Sequence, residues 1–148
     1  MSSGSNSISQ KMILHIQGEI AEDLRFIEEN TELCKKMNTV KDRSILLASE
    51  KGLVGLRMLQ NHDVEKAKSI MQLMQMINET EASMREKIAF VERLRHMSEP
   101  EALEEGLAFL KMVQNHDREK LTAMTQIYQR INETRAEKMA FIESLGTM

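Results

Sequence analysis

Internal repetition constrains this chain more than any other feature. Residues 48–80 recur as residues 102–134 with 18 identities in 33 positions, at an offset of 54. Gln60-Asn61-His62-Asp63 matches Gln114-Asn115-His116-Asp117, and Ile77-Asn78-Glu79-Thr80 matches Ile131-Asn132-Glu133-Thr134. The second copy then drops three residues, after which Glu86–Glu92 aligns with Glu137–Glu143. A weaker half-copy sits near the start, where Ile16, Ala21, Glu22 and Phe26-Ile27-Glu28 match Ile131, Ala136, Glu137 and Phe141-Ile142-Glu143.

Six glycines and one proline in 148 residues leave little punctuation for strands and turns, so the fold class is all-α. The pattern predicts five helices in the order long-short-long-short-long. The first runs from about Ile8 to Met37, with Ile13, Ile16, Ile20, Leu24, Ile27, Thr31 and Cys34 along one face. A break at Asn38-Thr39 and a cap at Thr39 or Asp42 lead into a second helix reaching Leu59. Asn61 and Asn115 each end a helix, and Asp63 and Asp117 cap the next. The third helix thus extends from Asp63 to His96, with Ala67, Ile70, Met74, Ile77, Glu81, Met84, Ile88 and Val91 as its seam. Ser98-Glu99-Pro100-Glu101 is a capping box with proline in the first turn, opening a fourth helix to Val113. The fifth covers Asp117 to Leu145.

At 1.5 Å per residue the third helix spans about 50 Å and the second and fourth about 25–28 Å. Short helices cannot cover a long one, so the lengths predict two staggered three-helix units sharing a continuous central helix. The alternative is a kink near Thr80–Ser83 that gives a compact five-helix bundle. The expected organisation is a disordered tail over 1–7, a first helical unit with the shared long helix over 8–97, and a second repeat unit over 98–148.

Charge and composition narrow the function. Apolar residues make up 41% and charged ones 29%, as in folded domains. Lys and Arg number 20 against 23 Asp and Glu, which supplies no basic excess for nucleic acid. No apolar run has the length of a membrane span. The start lacks a signal-peptide core and there is a single cysteine, so an intracellular site, cytoplasmic or nuclear, is expected.

The repeated Asn-His-Asp raises metal chemistry, since His62, Asp63, His116 and Asp117 are ligand types for zinc. Capping explains the same residues, and the two turns would stand roughly 25 Å apart, too far for one site. No histidine follows an acidic residue at Glu-x-x-His spacing, and no nucleophile elbow, phosphate loop or calcium loop occurs. Cys34 falls on an apolar face as a small core residue. The Asn78 and Asn132 glycosylation patterns lie mid-helix. No catalytic residue and no cofactor are expected.

The staggered arrangement leaves apolar positions unpaired at both ends: Ile8, Met12 and Ile13 in the first helix, and Met139, Phe141, Ile142 and Leu145 in the last. Met76 lies off the main seam among 13 methionines, a flexible residue suited to receiving varied helices. These eight residues are the candidate partner-binding positions. The expected function is a non-enzymatic protein–protein interaction module, an adaptor or scaffold subunit that meets a protein partner or a second copy as a homodimer. A metal- or ligand-binding bundle using the Asn-His-Asp turns is the alternative.

Overall fold

The computed structural model describes residues 7–39 and 53–146, except the side chains of residues 38–39, 53–56, 58–59, 141–142 and 145–146. Among these residues three helices are present: α1 (Ile8–Thr39), α2 (Leu53–Leu94) and α3 (Glu99–Gly146). No strand occurs among the described residues. The expected tail, apart from Ser7, and the expected cap at Asp42 lie outside them.

Among the described residues the chain is therefore all-α with three helices, where five were expected. Asn61-His62-Asp63 and Asn115-His116-Asp117 are interior to α2 and α3 and form no turns. A helix interior disfavours Asn, His and Asp by at most about 0.7 kcal/mol each relative to Ala. Breaking the helix would instead strip up to four carbonyls and four amides of their partners. The flanks agree: Val113 and Met124 are both buried, and eleven residues is three turns, so an unbroken α3 keeps both on one face. Among the described residues the expected second and fourth helices are not separate elements, since residues 53–59 open α2 and residues 99–113 open α3, so neither the staggered pair of units around a shared central helix nor the compact five-helix bundle describes them. Helix α2 also passes through residues 80–83 without interruption. Each repeat copy corresponds to one helix, not to a helix pair: residues 53–92 lie on α2 and residues 102–143 on α3.

The residues fall into two compact units, Met1–Thr31 with Met76–Leu121 and Glu32–Gln75 with Thr122–Met148. In the first unit the three helical segments alternate in direction. The start of α1 packs against the end of α2 and the start of α3, in a core of Met12, Ile13, Ile16, Phe90, Val91, Leu94 and Ala102. Phe90 and Phe109 stack with centroids 4.0 Å apart, closing this core with the chain's few aromatics. Gly106 is buried where the Met12 thioether approaches α3, in space that a β-carbon would fill. Ser7 caps α1 by accepting from the Gln10 amide at 3.0 Å, and Ser98 caps α3 by accepting from the Glu101 amide at 3.4 Å. The link between α2 and α3 is tightened by the His96 amide donating to the Arg93 carbonyl at 3.1 Å. The second unit buries Cys34, Ser69, Ile70, Leu73, Met124 and Ile127, and Arg130 donates to Gln72 at 2.8 Å.

The buried face of α2 differs from the predicted seam. Its innermost positions are Leu73, Thr80, Lys87 and Leu94, seven residues apart and all at most 1% exposed. Met74 and Ile88, placed in the seam by pattern, are exposed, and the true face is turned by about 60° from the predicted one. On α1 the matching line is Ile16, Asp23 and Asn30, while Leu24 faces out. The Asn30 side chain donates to the Phe26 carbonyl one turn back, at 2.9 Å. The Thr80 hydroxyl is buried without a hydrogen-bond partner. A buried orphan hydroxyl costs about 1–3 kcal/mol. Thr80→Val should therefore raise stability by about 1 kcal/mol in urea unfolding, with an unchanged m-value.

Candidate functional site

Charged residues occupy the middle of the first unit's interior, where a simple bundle would place aliphatic ones. Glu19 and Asp23 are one turn apart on α1 and face the same way. Lys87 comes from α2, and Asp117 and Lys120 from α3. The Lys87 ammonium donates to Asp23 Oδ2 at 2.6 Å and lies 3.8 Å from Glu19 Oε2. Lys120 reaches the other Asp23 oxygen, Oδ1, at 3.6 Å. Its ammonium also stands over the Phe26 ring, 4.2 Å from the centroid. All three helices thus meet at Asp23, which is 3% exposed, with Lys87 at 1%.

The electrostatics are unequal around this cluster. Burial holds the Glu19 carboxyl above its ordinary value, and the neighbouring Asp117 carboxyl pushes it the same way. Lys87 opposes both influences, and Glu22 adds a smaller upward push. Two ammonium groups therefore share the Asp23 carboxylate, with Glu19 beside Lys87. The arrangement ties α1 to both of the other helices of the unit.

The residues singled out by pattern lie elsewhere. Met12, Ile13 and Met76 are covered by the chain's own helices, so their apolar surface is already in use. Ile8 and Met139 are exposed. The side chains of Phe141, Ile142 and Leu145 lie outside the described residues. His116 is exposed on α3 and His62 half-buried on α2. Among the described residues no three His, Cys, Asp or Glu side chains come together as metal ligands would. Cys34 is buried, and burial raises its thiol above the ordinary value, opposite to what a nucleophilic cysteine requires. No helix among the described residues is long and apolar enough to cross a membrane.

Pattern reading missed Lys87 and Asp23 because each appears as a polar interruption of an apolar seam. One signal was available: the set Ile70, Leu73, Ile77, Thr80, Met84, Lys87, Val91 and Leu94 alternates by three and four just as strictly as the predicted seam. No protein-family model, curated protein or solved structure matches this chain.

Removing one member of a buried pair leaves the other charge without compensation, at a cost of about 3–5 kcal/mol. Lys87→Met should destabilise the protein by that amount in denaturant unfolding. Combining it with Asp23→Leu should recover most of the loss, because the double variant buries neither charge.

Proposed function

We propose that this protein is a non-enzymatic helical interaction module that presents exposed apolar side chains to a second protein chain, in the first instance another copy of itself. One observation carries the reading. On α2, within the second unit, Val64, Ala67, Met71 and Met74 are all exposed at spacings of three and four, with Met71 70% and Met74 54% accessible. Isolated exposed hydrophobics are ordinary, whereas four along one helical face form a row of the kind that receives an amphipathic helix. Methionine suits such a row because its unbranched, polarisable side chain adapts to varied partners. Tyr128 and Met139 on α3 are exposed in the same unit. A net charge of −3 on 148 residues opposes self-association only weakly.

The test is sedimentation velocity over a concentration series of the full chain, alongside M71E/M74E. The wild-type chain should move to a faster-sedimenting dimer as concentration rises. The variant should stay monomeric with unchanged helical circular dichroism, since neither methionine contributes to the interior. A wild-type chain that is monomeric throughout and sediments like the variant would count against self-association through this row.

A further inference from the structure

Met71 and Met74 carry a chemistry that the rest of the exposed α2 row lacks. A thioether sulfur takes up an oxygen atom from a hydroperoxide, whereas the hydrocarbon side chains of Val64 and Ala67 do not react. Exposure decides which methionines are within reach. Met71 and Met74 are 70% and 54% accessible, while Met12, Met76 and Met124 are each at most 9%. The side chain that ordinarily competes for a peroxide is withdrawn. Cys34, the single cysteine of the sequence, is buried in the second unit, and burial raises its thiol, so little of the reactive thiolate forms. The sequence has no tryptophan. In the second unit the exposed sulfurs of the row therefore stand ahead of the cysteine in reaction with peroxide.

We infer that Met71 and Met74 are a paired oxidation site, at which a hydroperoxide switches off the association of two copies through the α2 row. The switch rests on self-association through that row. In each step the sulfur lone pair attacks the terminal oxygen of the hydroperoxide. The S–O bond forms as the O–O bond breaks, and the proton of the terminal oxygen passes to the departing oxygen. The hydroperoxide leaves as an alcohol, or as water where it is hydrogen peroxide. The sulfur gives up two electrons and the peroxide takes them, so no other reactant is needed. The sulfoxide is polar where the thioether was apolar. Three residues apart on one helix face, the two sulfurs convert a single turn of α2. Val64 and Ala67 offer no side-chain donor to a sulfoxide, so burying it in a dimer costs its hydration without return. Losing the burial of even one methionine side chain weakens a dimer about tenfold or more. The interior is untouched, because both side chains face outward.

The experiment treats the full chain and M71L/M74L with hydrogen peroxide, follows each sulfur by peptide mass spectrometry, and measures the dimer by sedimentation velocity. Leucine keeps the row apolar and removes the sulfur. Met71 and Met74 should each gain one oxygen before Met12, Met76, Met124 and Cys34 react. At that stage the wild-type dimer should weaken by about tenfold or more in Kd, with unchanged helical circular dichroism. Methionine sulfoxide reductases for both epimers, with dithiothreitol, should restore it. M71L/M74L should dimerise alike before and after treatment. A wild-type dimer that persists undiminished with both sulfoxides in place would overturn the switch and leave self-association standing. A treated M71L/M74L chain that loses its dimer would place the sensitive group elsewhere and overturn the switch as well. Oxidation of Cys34 or of the interior methionines ahead of Met71 and Met74 would overturn the site itself. A wild-type chain that is monomeric at every concentration before treatment would remove the association and the switch together.

Discussion

The contact between Lys87 and Asp23 is the constraint on which the first unit depends. Taking an ammonium and a carboxylate out of water costs several kcal/mol per ion, and only a partner at short range with good geometry offsets it. Lys87 finds Asp23 at 2.6 Å, and Asp23 is shared with Lys120. The apolar part of the interior is much less demanding. The contacts among Met12, Ile13, Ile16, Val91 and Leu94 are apolar and non-directional. A slip of α1 by one turn, about 5.4 Å, would take Asp23 away from both Lys87 and Lys120. Aliphatic contacts hold the helices together, while the charges decide their alignment.

The same division runs along the interior of the first unit. Its apolar end gathers the residues around the stacked Phe90 and Phe109, beside the capped turn that joins α2 to α3. Further along, the inner lines of α1 and α2 become polar at Asp23 and Asn30 and at Thr80 and Lys87. Asn30 satisfies one bond locally through the Phe26 carbonyl, and Lys87 is satisfied by other helices. Thr80 is satisfied by neither. Buried groups whose partners are remote in sequence make folding conditional on correct assembly, and a bundle with so few aromatics has little else to enforce it.

How much of this could be read from the residues alone depended on how local the cause was. The all-helical class followed from sparse Gly and Pro. The Ser98 cap and a helix end just before it followed from short-range chemistry; the structure shows the cap, and ends α2 at Leu94, two residues before the expected His96. Ser7, with Gln10 three residues on, carried the same kind of cap signal and was not read. The two Asn-His-Asp segments misled because each residue individually favours a helix end, while burial of Val113 and Met124 on one face outweighs that preference in α3. The α2 seam misled for a related reason. Ala67, Met74 and Ile88 look more internal than Thr80 and Lys87, and only acids on α1, sixty-odd residues away, make Lys87 an interior residue. The exposed Met71–Met74 row is the other side of that error, since Met74, expected in the seam, faces outward beside Met71.

Because one repeat equals one helix, and successive helices in the first unit reverse direction, the chain has grown by a step that inverts its own environment. A copy laid down antiparallel to its parent cannot reproduce the parent's contacts, so equivalent positions were released to different tasks from the moment of duplication. Lys87 is sealed in the interior, while its counterpart Lys138 is only half-buried, and Met74 corresponds to Tyr128. Divergence between the copies is then an architectural necessity, and a further single-helix duplication would produce a new surface before it produced a new core.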